Sequence, residues 1–367
     1  MLIKLKIFVL LFLTIHSLHA HSKVSINAVG IPLADHYAAI VAYEKYKDKM
    51  QYADFHLKFL KSPDLVRAYF YSKDDVDMAF DVSPMVMEMF AQKPYFKWIS
   101  LIHRDGNALA INHILNKLVK LNADKTKRKP DAKVADAIKK LNAKNHEPME
   151  IAVPSILATH TTILYKYLKD YNLTMSLSRF DNPDVIIRII KPPKSPAYLN
   201  MKKNCSKPAG FEQSMPWAEV AHEHGSGEIA WYSKDVMNTK NGHVECIIIA
   251  RNTTIKQKRK ALKEVIYYIH KAGRDIENAR YNNDKKELSK IIKMIRKHIP
   301  SHTSKAIRES LRTDIMAINY KHLNITTDSK ASFKEIMDLA YEAGFIKQKI
   351  NIEDIADDSF NTIEKKW

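Results

Sequence analysis

The chain reads as an α/β protein built of two lobes. Three observations predict this. Short apolar strands alternate with amphipathic helices from Lys23 onward, the alternation occurs in two series separated by a Lys- and Asn-rich interval, and the final third is almost wholly helical. Strands that each hand over to a helix favour parallel sheets covered by helices. The expected boundaries are 1–20 for a signal segment, 21–108 for the first part of lobe 1, 109–249 for lobe 2, and 250–367 for the completion of lobe 1 with C-terminal helices.

The first residues carry Lys4 and Lys6, an apolar run from Ile7 to Ile15, and then Ser17, Leu18, His19 and Ala20. A basic start, a short hydrophobic stretch and a small residue before the cut make a secretory signal, and such a run is too short for the roughly 20 residues of a membrane span. No cysteine precedes Cys205, so a lipid-modified cysteine is not expected and the periplasm is the predicted compartment. Residues 24–29 then read as a strand, 35–47 as a helix, 55–60 as a strand and 62–71 as a helix. Strands at 75–80 and 96–102 complete the first series. Ser62-Pro63 and Ser83-Pro84 each pair an N-cap candidate with the proline favoured at a helix entrance.

The interval 116–146 is rich in Lys, Asn, Ala and Asp and poor in large apolar residues other than Leu, which predicts an exposed helix and loop. The second series places strands at 149–153, 185–190, 210–213, 228–232 and 244–249, with helices near 161–171 and 196–203. Long amphipathic helices follow at 255–278 and 332–343, the latter stopped by Gly344. No internal repeat is visible. Two such lobes joined by crossovers leave a cleft, a preferred place for a small ligand, and closure about a hinge encloses it.

The formal charge is +18, or +16 without Lys4 and Lys6, and it is scattered in short runs such as KYKDK and KQKRK. A nucleic-acid binder gathers its basic residues on one face between stacking aromatics. Scattered lysines behind a secretion signal describe a solvated surface, and nucleic acid is not an expected partner. Cys205 and Cys246 are the only cysteines, so an oxidising compartment allows one bridge, and two unlinked thiols are the equal alternative. Neither G-x-S-x-G nor H-E-x-x-H occurs, so hydrolase chemistry is not expected, and no close H-x-x-x-H or C-x-x-C spacing suggests a metal or other cofactor.

Several segments resemble one family. Gly30-Ile-Pro-Leu-Ala-Asp-His-Tyr37 is similar to its opening strand, loop and helix; Val76-Asp-Met-Ala-Phe-Asp-Val-Ser-Pro84 resembles its third strand with the ligand-facing turn; Ser100-Leu-Ile-His-Arg-Asp-Gly-Asn107 resembles its crossover. Lys191-Pro-Pro193, Ala209-Gly-Phe-Glu-Gln-Ser-Met-Pro-Trp217 and the segment from Phe333 to Phe345 fall in the same order. This is the nitrate, sulfonate, taurine and bicarbonate group of ABC-transporter solute-binding proteins, whose relatives also bind a pyrimidine precursor. The resemblance implies a periplasmic-binding-protein type II fold and a monomer that captures a small solute and delivers it to an ABC permease in the inner membrane. Two departures stand out. Met215 occupies the place of a Glu in the nitrate branch, and Phe80-Asp81-Val82-Ser83 replaces its aromatic, Gln-bearing turn.

Loops after parallel strands that open helices are where such sheets hold ligands. Asp35, His36 and Tyr37 sit there after the first strand, and Asp81 and Ser83 after the third. The resemblance adds Asn107 at the family's crossover Gln, His160 at the opening helix of the second lobe, Pro193, Trp217, and His243 near the later strand. Imidazoles that charge near pH 6.5 would suit an oxyanion, whereas the carboxylates suit a cationic or heterocyclic solute. The expected function is capture without chemistry, of an oxyanion or a pyrimidine-type heterocycle. A sensor feeding a membrane kinase or chemoreceptor is the alternative, and a pyrimidine-synthase-like enzyme of the same fold is disfavoured because two cysteines cannot build its iron site.

Overall fold

A computed structural model describes residues 22–362; the predicted signal segment lies outside them. The strands in chain order are β1 (Val24–Gly30), β2 (Ala53–Phe59), β3 (Met78–Val82), β4 (Phe96–Leu101), β5 (Arg104–Asp105), β6 (Asn107–Ile111), β7 (Met149–Val153), β8 (Met175–Ser176), β9 (Val185–Ile189), β10 (Ala209–Ser214), β11 (Glu228–Tyr232), β12 (Cys246–Arg251) and β13 (Ile318–Asn319). They form a five-stranded sheet, β2-β1-β3-β12-β4, a six-stranded sheet, β11-β6-β10-β7-β9-β8, and a two-stranded ribbon of β13 with β5.

The two large sheets share one plan. In the first, β1 pairs parallel with β2 and β3, and the late strand β12 enters antiparallel between β3 and β4. In the second, β7 pairs parallel with β9 and β10, and the early strand β6 enters antiparallel between β10 and β11. Each lobe therefore accepts one strand from a crossover that has just left the other. The run read at 244–249 as the last strand of lobe 2 is this β12, and it belongs to the first sheet. An apolar run such as Cys246–Arg251 fits the middle of either sheet; pairing with Met78–Val82 decides its place.

Local chemistry explains the elements. Ser62 caps the helix Pro63–Ser72, accepting from the Leu65 amide, with Pro at its first position. At Ser83-Pro84 the cap position falls on Val82 and Ser83 is already helical; its hydroxyl donates instead to the Glu245 carbonyl at 2.8 Å. The helix Arg259–Tyr281 lays Leu262, Val265, Ile266, Ile269 and Ile276 on one buried stripe against the helix Tyr37–Tyr46 and β2. The helix Ala132–Asn145, expected to be exposed, buries Val134, Ala135, Ala137 and Ile138 while its lysines face water. Small apolar residues at helical spacing suffice for that contact.

Of the two alternatives for Cys205 and Cys246, the unlinked one is found: no bridge forms and both thiols are free. Cys246 is buried in the first sheet, its Sγ 3.4 Å from His36 Nε2, whereas Cys205 is exposed at the end of the helix Ser195–Asn204, which packs on the second sheet. The two lobes keep them apart. Among the described residues no helix is long and apolar enough to cross a membrane.

Candidate functional site

The two crossovers run side by side between the lobes, and a group of buried polar side chains gathers around them. The first, 102–107, carries His103, Asp105 and Asn107; the second, 242–246, carries His243 and Glu245. From lobe 1 comes Asp35, in the short turn Ala34–His36 after β1. Lobe 2 supplies His160, second in the helix Thr159–Asp170, and Glu212, Gln213 and Ser214 at the end of β10. Strand periodicity puts Glu212 and Ser214 on one face, with Ser214 directly opposite Asn107 in the ladder.

A relay crosses the interface: His160 Nε2 meets Ser214 Oγ at 2.7 Å, and that hydroxyl donates to Asp35 Oδ2 at 3.1 Å. His103 Nε2 lies 3.6 Å from the same Asp35 oxygen. On the far side, Glu245 places its oxygens 3.4 Å from His160 Nδ1 and 3.8 Å from His243 Nδ1. His243 is held by Ser233 Oγ at 2.9 Å from Nε2, while its backbone amide donates to Asp105 Oδ1 at 2.9 Å. Beside Asp35, His302 accepts or donates at 2.9 Å with the Tyr37 hydroxyl, and its ring packs edge-on to Trp217 at 4.9 Å between centroids.

Most of these groups have more hydrogen-bonding capacity than the protein uses. Asp35 Oδ1, both nitrogens of His103, both side-chain polar atoms of Asn107, His160 Nδ1, both oxygens of Glu212, Gln213 Oε1, Trp217 Nε1, His243 Nδ1, both oxygens of Glu245 and His302 Nε2 are buried without a well-formed hydrogen bond inside the protein. Buried polar groups are normally satisfied, and each orphan costs about 1–3 kcal/mol. Such a concentration at one interface makes it the candidate site.

Burial sets the protonation. It lowers His160 to about 4 and His243 to about 3, with Asp35 opposing the shift at His160 and the neighbouring histidines adding to it at His243. His302 is lowered to about 3 for the same reason. His160 and His243 are therefore neutral at pH 7 and do not form the imidazolium pair that would suit an oxyanion. Burial raises Glu212 and Glu245 well above the usual carboxylate range, with Asp35 adding to both and Glu212 to Glu245. At Asp35 burial also pushes upward, but His103 outweighs it and holds the carboxyl low.

The residues singled out in the sequence fall into two sets. Asp35, Asn107, His160 and His243 come together in the cluster, and Tyr37 and Trp217 wall it through His302. The others lie elsewhere. His36 is spent on the Ile31 backbone and Cys246. Asp81 is buried, accepts from the Val82 amide and has Asp64 and Arg67 as its charged neighbours. Ser83 is committed to the Glu245 carbonyl. Pro193 stands exposed on the turn Pro192–Lys194. His103, Glu212, Ser214 and Glu245 were not singled out. Their signal is a polar Glu-Gln-Ser triplet closing an apolar strand, and a carboxylate two residues beyond His243.

The NMT1-like family model matches residues 20–293. The chain belongs to the NMT1-like family. No curated protein matches its sequence. Among solved structures it is similar to a ligand-binding component of an ABC-type import system from Staphylococcus aureus with zinc bound, at 15% identity and TM-score 0.68, covering 92% of this chain and 97% of that one. It is also similar to the periplasmic nitrate-binding protein of Synechocystis, at 14% identity and TM-score 0.72, covering 92% and 87%. A third is the alkanesulfonate-binding protein of Xanthomonas axonopodis bound to MOPS, at 9% identity and TM-score 0.62, covering 90% and 97%. At such identities the likeness establishes the fold, the two-lobed periplasmic-binding-protein type expected from the sequence.

Proposed function

We propose that this member of the NMT1-like family is the periplasmic solute receptor of an ABC importer, a monomer that closes its lobes on one small polar solute and presents it to a permease. The observation that carries the reading is the set of orphaned polar atoms buried where both crossovers pass between the lobes. Asp35 and Tyr37 come from one wall, Asn107, His160, Ser214 and Trp217 from the other, and His103, His243 and Glu245 from the connections. A guest that pairs with them recovers the cost of burying them, so binding and closure are one event. The similar structures that bind nitrate or alkanesulfonate, or that carry zinc, support a binding role and differ in what they hold. Nothing in the cluster calls for a covalent step, and binding without chemistry is the reading.

The double variant His160→Ala with Asn107→Ala tests the site. In the parent protein a bound solute raises the melting temperature by mass action. The double variant is expected to lose that rise while its own melt stays close to the parent's, because the atoms removed have few protein partners to forfeit. A solute response that survives both substitutions would move the site elsewhere.

A further inference from the structure

Resting on that reading of the site, we infer that the guest is a small nitrogenous cation with several N–H donors, of the amidinium or guanidinium class, and not an oxyanion. Sign and hydrogen-bond sense lead to the same answer. Three carboxyl groups face the cluster, and Asp35, Glu212 and Glu245 are each no more than 1% exposed. Among the described residues no Lys or Arg side chain is hydrogen-bonded or ion-paired to any of them; Ser214 and His103 face Asp35, and His160, His243, Asn107 and Thr159 face Glu245. Arg104, on the first crossover, is turned to the carbonyls of His322 and Gly242 and toward Asp328.

Imidazole nitrogens aside, the orphaned atoms are mostly acceptors. Asp35 Oδ1, both oxygens of Glu212, both of Glu245, Asn107 Oδ1 and Gln213 Oε1 accept only, or accept when ionised, whereas Asn107 Nδ2 and Trp217 Nε1 are the fixed donors. An oxyanion brings further lone pairs to this carboxyl-rich wall, where among the described residues no Lys or Arg side chain pairs with Asp35, Glu212 or Glu245 to offset them. A bare transition-metal ion needs three or four donors around one point. Among the described residues no three His, Cys, Asp or Glu side chains are so arranged. An amidinium or guanidinium group instead reaches separated acceptors along its edges and pairs with a carboxylate through two parallel N–H bonds. Neutral His160 and His243 do not oppose its charge, and a cation beside Glu212 and Glu245 would favour the ionised carboxylates that burial disfavours.

Thermal shift and calorimetry on the purified protein separate the cases, using acetamidinium and methylguanidinium, then nitrate, bicarbonate and ethanesulfonate, then a neutral aminopyrimidine, then zinc chloride. The expected result is stabilisation of several degrees by an N–H cation, with affinity at least about tenfold weaker in Glu245→Gln and in Glu212→Gln. These amides keep the shape, so folding is read from their own melts, and a cation affinity unchanged in both folded variants overturns the assignment. Stabilisation by oxyanions, neutral heterocycle or zinc alone, when abolished by His160→Ala with Asn107→Ala, overturns the cation and leaves the receptor standing. Silence to every probe class counts against both.

Discussion

At Glu245 two neutral imidazoles and an amide surround one carboxyl group that burial, then Asp35 and Glu212, press toward its protonated form. His160 and His243 face it from the helix and the crossover, Asn107 from β6, Glu212 from β10 and Asp35 from the turn after β1. A cationic guest binds the ionised carboxylates, so protons leave as it enters and its affinity rises with pH. Calorimetry at pH 6 and pH 8, in buffers of different ionisation heat, is expected to show tighter binding at pH 8 with proton release. An oxyanion would reverse that trend. His270 shows the opposite linkage away from the site. Its nitrogens meet Ser100 Oγ and Thr362 Oγ1, each at 2.7 Å, and burial lowers it to about 3. Below about 6.5 the unfolded chain takes a proton there that the folded one refuses, so the residue's contribution is whole above 6.5 and declines as pH falls toward 3. His270→Gln is expected to flatten the pH dependence of the melting temperature between about pH 4.5 and 6.5 without altering the solute response.

Elements fix these residues in place, and the crossovers do so under tight steric terms. Gly242 opens the second crossover at φ +86°, and an added Cβ would lie 2.3 Å from Asp105 Oδ2 and 2.8 Å from Asn319 Nδ2. Gly242→Ala is expected to destabilise the fold by about 1–3 kcal/mol, measured by denaturant melts, through backbone strain and displacement of Asp105. Solute affinity should fall with it, because Asp105 holds the His243 amide. The helices and most strands were legible in the sequence, since local periodicity and proline-bearing helix starts specify them without reference to partners. Which sheet receives β12 was not, because a fully apolar strand carries no mark of its neighbours. The site was legible in half. Asp35, Asn107, His160 and His243 lay in segments with a family likeness, whereas His103 and Glu245 owe their place to two crossovers meeting far apart in sequence. The pairing of Arg104 with Val244 across them is a long-range fact that no window of residues displays.

The whole molecule is two sheets, each completed by the other's departing chain, and that arrangement bears on how it comes apart. The first sheet lacks its inner strand until β12 returns from lobe 2, and the second needs β6, which follows directly on lobe 1. Backbone bonds also tie the lobes: the Ala34 amide donates to Met215 O at 2.9 Å, and the Met215 amide to Gly106 O at 2.7 Å. Withdrawing β12 from lobe 1 would strip the edge strand β4 of its ladder and leave β3 paired on its β1 side alone, at a cost spread over the residues from Met78 to Leu101. Neither lobe can lose its structure while the other keeps all of its strands in register. Calorimetry is therefore expected to show one cooperative transition, with van't Hoff and calorimetric enthalpies equal, and a bound solute should move that single peak upward without splitting it. Two resolved transitions, with only one responding to solute, would mean that the strand exchange does not couple the lobes and that the guest is held by one of them alone.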